Sequence, residues 1–314
     1  MRNFIFVWVI PFLAFVTIVA QDLATSAIVS QAPCAFTTFE EQSSFTRHYY
    51  SKEEFDAARA ATTIDCLKIH YLSDGLKVVG YLVKPHDNAR HPAIVYNRGG
   101  FLDIGKLDPS NLLDFFQLAS KGFIVLASQY RGNDGGEGRE ELGGADVNDV
   151  INLRNLAAAL PYVDSKNIFL YGLSRGGMMT FLALRRGVTV NAAAVVGAVI
   201  DLEDTLTVMR QHSPRMADAI TSLIPDFSSR GVITLRERSA INWPEAISVP
   251  LLILHGTKDE EVPVSEARAF DSKLTALKKS HEVVLYENDI HEVVIHRHER
   301  DQRVVSWFEG HMSK

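Results

Sequence analysis

Gly172-Leu173-Ser174-Arg175-Gly176 stands between the apolar run Asn167 to Tyr171 and a stretch of helix formers, Met178 to Arg186. Strand, sharp turn, helix is the context in which G-x-S-x-G holds its serine in a strained turn, and the flanking glycines, lacking Cβ atoms, leave room for it. The pentapeptide by itself also occurs in ordinary βα loops. A helix starting at Ser174 adds to it by aiming free N–H groups and a positive dipole end at the hydroxyl. That suits a developing oxyanion, with the Arg175 N–H as one donor. The chemistry expected is nucleophilic attack by Ser174.

A serine hydroxyl needs a base, and the base needs an orienting acid. In an α/β-hydrolase arrangement these follow in the order Ser, Asp/Glu, His, and the chain offers both. Val249 to Leu254 reads as a doubly buried parallel strand running into His255-Gly256-Thr257-Lys258-Asp259-Glu260-Glu261-Val262-Pro263. Asp259 thus falls beyond a strand's carboxyl end, where open α/β sheets build their sites. Glu260, Glu261 and Asp201 are its rivals. His281 to Tyr286 is the next strand, and its exit loop, Glu287-Asn288-Asp289-Ile290, delivers His291 as general base. His296 and His298, at the start of a closing helix with Val304, Val305, Trp307 and Phe308, are expected to face solvent.

The remaining chain alternates apolar strands with amphipathic helices. A hairpin spans Lys68 to Lys84 and turns at Asp74-Gly75; strands follow at Ala93 to Tyr96, Phe123 to Gln129 and Ala192 to Ile200, with helices at Leu112 to Ser120, Ala145 to Leu160 and Pro263 to Lys279. The expected fold is α/β, a doubly wound and mostly parallel sheet of the α/β-hydrolase type. Residues 201–245 break the rhythm and are expected to form a small helical cap, whose Met209, Met216, Phe227 and Trp243 are assigned to core ahead of pocket lining.

From about Lys68 onward the chain resembles the catalytic domain of the prolyl oligopeptidase family, the S9 serine peptidases. The resemblance is carried by Tyr130-Arg131-Gly132-Asn133 with Asp134-Gly135-Gly136-Glu137-Gly138, by Asp146 and Asp149, by the elbow through Gly177, by His255-Gly256 with Asp259 and Val262-Pro263, and by His291. It implies a Ser174–Asp259–His291 triad working through an acyl-enzyme on peptide or amide bonds. One departure concerns the oxyanion. In Tyr96-Asn97-Arg98-Gly99-Gly100-Phe101, Arg98 stands where the family has a tyrosine whose hydroxyl is the second oxyanion donor. Arg98 is then an oxyanion donor assisted by main-chain N–H groups at Gly99 and Gly100, a fork for a substrate carboxylate or phosphate, or a surface ion pair.

The other departure is size. Residues 21–66, ahead of a hydrolase region over 67–314, are too few for the family's β-propeller, so peptide-length gating has no visible basis. A carboxylesterase acting on small acyl or carbohydrate esters is the competing expectation. A non-catalytic binding protein on this fold is the third, disfavoured by the apparently complete triad.

With 314 residues, 46% of them hydrophobic, and a net charge of -6, the chain has ample core for one α/β domain and no basic excess for nucleic acid. No CxxC, HExxH, P-loop or internal repeat appears, so no metal and no cofactor are expected, only a small peptide or ester substrate. Arg2 followed by apolar Phe4 to Ala20 fits a signal peptide over 1–20, hence export to the periplasm or exterior without stable membrane insertion. Because the run is short for a span and broken by Pro11, cleavage is the expectation and an uncleaved N-terminal anchor the alternative. Cys34 and Cys66, the two cysteines, either pair in that oxidising compartment or remain free thiols.

Overall fold

The computed structural model describes residues 27–314, so the leader expected over 1–20 lies outside the described residues. Among these residues nine strands form one sheet: β1 (Ile28–Pro33), β2 (Ile64–Ser73), β3 (Leu76–Pro85), β4 (His91–Asn97), β5 (Ile124–Ser128), β6 (Val163–Leu173), β7 (Ala192–Val196), β8 (Leu251–Gly256) and β9 (His281–Tyr286). Their order is β1-β2-β3-β5-β4-β6-β7-β8-β9. The pairings from β1 through β3 to β5 are antiparallel and the others parallel.

The hairpin turns where expected. Asp74 and Gly75 both have positive φ, 52° and 82°, the pair of left-handed residues that a two-residue loop matched to strand twist requires. Beyond it the central strands are apolar on both faces because both are covered. Ile124 and Leu126 of β5, with Leu251 and Ile253 of β8, face one layer. That layer comprises α4 (Val147–Ala159), α5 (Arg175–Arg185) and α10 (Val264–Ala276). Val125, Leu252 and Leu254 face the opposite layer, made by α3 (Leu113–Ser120) and α11 (Arg297–Gly310).

From β4 the chain moves outward to β5, then returns past β4 to start β6. That reversal is a topological switch point, and the crevice beyond the carboxyl ends of β4 and β6 is where a ligand is accommodated in such sheets. Residues after β7 form α6 (Leu202–His212), α7 (Pro214–Leu223), α8 (Phe227–Arg230) and α9 (Val232–Arg238), a helical cluster over the crevice.

The segment ahead of the hairpin is tied to the sheet. β1 pairs with β2, and Cys34 is disulfide-bonded to Cys66, with Cα atoms 5.4 Å apart. Between the cysteines lie α1 (Ser44–Tyr49) and α2 (Lys52–Ala60). No helix among the described residues is long and apolar enough to cross a membrane.

Candidate active site

β6 ends at Leu173 and α5 begins at Arg175, leaving Ser174 between them at φ 56°, ψ -124°. The strain is accommodated by crowding that only glycine tolerates. A Cβ on Gly172 would collide with the Gly176 carbonyl, and one on Gly176 with the carbonyl of Asn97 at the end of β4. The elbow is pinned by Ser174 N–H donating to the Val196 carbonyl at 2.8 Å, and the Ser174 side chain lines the cavity at the switch point. As the first residue of α5, Arg175 has a main-chain N–H with no intrahelical acceptor.

The acid and base arrive from the loops after β8 and β9. His291 Nδ1–H donates to Asp259 Oδ2 at 2.7 Å, and both side chains are buried. The other carboxylate oxygen, Oδ1, accepts the main-chain N–H groups of Glu261 and Val262, each at 2.9 Å. A second histidine holds the acid as well. His255 Nε2 lies 3.0 Å from the Val262 carbonyl and 3.1 Å from Asp259 Oδ2, both acceptors, so this nitrogen carries the proton. Burial alone would raise the Asp259 pKa, but the hydrogen bonds from His255 and His291 outweigh it and hold the carboxyl well below its ordinary range. Burial likewise works against a charged His291, yet its bond to Asp259 and the nearby carboxylates of Asp259, Glu261 and Glu292 leave its pKa above the ordinary value. His291 Nε2 is buried and has no hydrogen-bond partner among the described residues.

The rival acids have other places. Asp201 caps α6 by accepting from the N–H groups of Glu203 and Asp204, and Glu260 is exposed. Glu261 is 61% exposed at its side chain, with Oε2 3.7 Å from His291 Nε2. His298 is exposed, whereas His296 turns back to place Nδ1 2.9 Å from Asp289 Oδ2.

Arg98 requires a correction. Its side chain is neither a donor aimed at an oxyanion nor a surface ion pair, because the residue is 1% exposed and its donors are consumed by main-chain carbonyls. Nε and Nη2 donate to Gln129, Nη1 to Gly99 and Ile104, and Nη2 also to Leu102, at 3.0–3.2 Å. The guanidinium is a clamp that shapes the loop 99–105. Gly99 packs close to the nucleophile, since a Cβ there would stand 3.1 Å from Ser174 Cβ. The Arg175 side chain is a second clamp, which the motif does not foretell. It binds Glu140 and Asp146, donates to the Gly100 carbonyl at 3.1 Å, and stacks over Tyr130 at 4.7 Å.

The cavity has a volume of about 420 Å³. Met209 and Met216 of the cap line it together with Val199 and Leu202; Met209 also packs against the core, whereas Met216 is exposed, so the assignment to core fails for Met216. An amphipathic helix shows the same apolar face to a core or to a pocket, and the sequence cannot separate the two. Trp243 is buried under Arg185, and Phe227 packs against the core. Thr46, Tyr49 and Tyr50 close the cavity from the segment ahead of the hairpin, and nothing in the local sequence pattern signals this. Among the described residues no group of three or more His, Cys, Asp or Glu side chains is placed to hold a metal ion.

Comparison with known proteins agrees with this architecture. The model of the prolyl oligopeptidase family matches residues 111–314. An uncharacterized peptidase of Bacillus subtilis (strain 168), YtmA, is 33% identical over 224 residues, which cover 71% of this chain and 84% of YtmA. Among solved structures, the acylaminoacyl peptidase of Pyrococcus horikoshii matches with a TM-score of 0.66 at 20% identity, covering 82% of this chain. This chain spans only 43% of that one. Acetyl xylan esterase 1 from Thermoanaerobacterium sp. JW/SL YS485 matches with a TM-score of 0.62 at 14% identity, over 93% of both chains. At such identities the solved structures speak for the fold, while the family match and YtmA speak for descent. The chain belongs to the prolyl oligopeptidase family and is a hydrolase of the serine peptidase or esterase kind, on an α/β-hydrolase fold.

Proposed function

We propose that the protein is an exported enzyme that hydrolyses acyl bonds of small peptides, amides or esters by covalent catalysis at Ser174, with His291 as general base and Asp259 orienting it. The observation that carries this reading is the 2.7 Å bond from His291 Nδ1–H to Asp259, with His291 Nε2 left unpartnered and both His291 and Ser174 lining one cavity. The bond fixes the tautomer in which Nε2 is a free base. Ser174 Oγ gives its proton to Nε2 while attacking the carbonyl carbon, and the resulting oxyanion takes N–H donors from Arg175 and from the Gly99–Gly100 loop. His291, now charged, protonates the leaving amine or alcohol, and a water activated by the same base releases the acid from the acyl-enzyme.

Peptide bonds are favoured by the names of the family relatives, esters by the full-length match to an acetyl xylan esterase. Export is supported by the Cys34–Cys66 disulfide, since such bonds persist in oxidising compartments. Ser174→Ala should abolish turnover of p-nitrophenyl esters and aminoacyl anilides, together with fluorophosphonate labelling, while leaving the circular dichroism unchanged. Full labelling of that variant would refute the assignment. N-terminal sequencing of protein recovered outside the cytoplasm tests export, and an intact Met1 in the membrane fraction would favour the anchor.

A further inference from the structure

The cavity is walled from two sides by residues of different origin. The cap side packs with the layer of α4, α5 and α10, as Leu202, Leu206 and Ile220 show. On the other side stand Thr46, Tyr49 and Tyr50, which come from the α1 segment, and the two tyrosines cluster with Leu113 at the start of α3. A six-residue helix on the surface has little intrinsic stability, so what holds it decides whether it is a fixed wall.

It is fixed by a dense polar and aromatic network. Tyr50 Oη donates to Asp114 Oδ1 at 2.9 Å. Arg297 lies over both rings, 5.3 Å from Tyr49 and 5.1 Å from Tyr50, and donates to Glu54 of α2. Arg300 Nη1 donates to Tyr49 Oη at 2.7 Å and to the Glu292 carbonyl at 2.6 Å. One guanidinium therefore sets the tyrosine wall in register with the residue that follows His291. The strand pairing of β1 and the Cys34–Cys66 bond anchor the far end of the segment to the sheet.

The side on which this wall stands follows from chemistry. A general acid must be within hydrogen-bond reach of the leaving atom, so the leaving group departs past His291. Glu292, next to His291, lines the cavity along with Tyr49 and Tyr50. We propose that α1 with Tyr49 and Tyr50 is the specificity-determining wall of the leaving-group side, restricting hydrolysis to substrates whose leaving group is the size of an alcohol, an arylamine or a single residue. The cavity volume of about 420 Å³, shared between acyl and leaving portions, lies toward the small end of small-molecule sites.

The proposal rests on the Ser174–His291–Asp259 reading, and its test separates the two. One acyl group is presented with leaving groups of p-nitroaniline, glycinamide, and its two- and four-residue extensions. The native chain should lose about tenfold or more in kcat/KM from the one-residue to the four-residue leaving group. In Tyr49→Ala and Tyr50→Ala the ratio of long to short should rise at least about fivefold, whereas Tyr50→Phe, which keeps the ring, should hold the native ratio. An unchanged ratio in both alanine variants, or a native enzyme indifferent to length, overturns the wall. Should an alanine variant not fold, inhibition of the native enzyme by the free amines of the same series decides: potency falling with length supports the wall, and equal potency overturns it. Failure of the triad reading looks different, as turnover that survives Ser174→Ala at every length.

Discussion

Replacing Arg98 by methionine keeps much of the aliphatic volume and removes all five donors, so it separates a structural clamp from a group acting on the transition state. The bonds to Gln129 and Gly99 are fully buried, while those to Leu102 and Ile104 are only partly so, and water can replace the latter. Two buried carbonyls are then orphaned, at about 1–3 kcal/mol each. The stacking of the guanidinium on Tyr130, 5.5 Å away, contributes about 1 kcal/mol more. Against this stands the desolvation of a buried charge, which the variant no longer bears. A net loss of about 2–4 kcal/mol is expected, large against the ~5–15 kcal/mol of a typical domain. Urea unfolding followed by tryptophan fluorescence should show a lower midpoint, and kcat/KM should fall because the loop carrying Gly99 and Gly100 loses its shape. Arg98→Lys should resemble the methionine variant in stability, since one ammonium cannot span four carbonyls. An unaltered midpoint beside a ~10²-fold loss in kcat would refute the clamp and restore Arg98 as an oxyanion donor.

Two other expectations follow from the same geometry. Because His291 must be neutral to accept the serine proton and its pKa lies above the ordinary value, the acid limb of kcat/KM should sit above that of a free histidine; Glu261→Gln, removing a carboxylate 3.7 Å from Nε2, should move the limb to lower pH, and no movement or an upward one contradicts the coupling. Replacing Cys34 and Cys66 together by serine opens a loop of 32 residues and should lower stability by about 3–4 kcal/mol, measured as the urea midpoint against the native chain; equal midpoints would show that the bond adds nothing.

What the sequence makes legible is local. The elbow, the acid loop and the base loop each follow an apolar strand, so strand, turn chemistry and residue type are read from one short window around Ser174, Asp259 or His291. Groups whose partners are distant in the chain are not legible. Arg98 is defined by where the Gln129 carbonyl falls; the partners of His255 are near in sequence, and it is the shape of the turn that brings Val262 and Asp259 to one nitrogen. Tyr49 and Tyr50 reach the cavity only because β1 joins the sheet edge and Arg297 and Arg300 meet them from the other end of the chain.

Backbone strain gathers at the same cavity. Leu102, Tyr130, Leu142, Ser174 and Val293 all have φ between 46° and 62° without being glycine, a conformation costing about 1–3 kcal/mol apiece. Four of the five bear on residues around Arg175. Leu102 N–H donates to Glu140 Oε2 at 2.8 Å, and the other oxygen of Glu140 binds Arg175. Both Arg98 and Arg175 lie over the ring of Tyr130, whose hydroxyl donates to the Arg98 carbonyl at 3.2 Å. Leu142 precedes Gly143, whose N–H is held by Asp146, the second acid on Arg175. Ser174 is bonded to Arg175 itself. A single buried guanidinium beside the nucleophile thus braces turns that propensity alone would relax, and the strain it holds is concentrated at the cavity because that is where loops must be aimed at a substrate and not at each other.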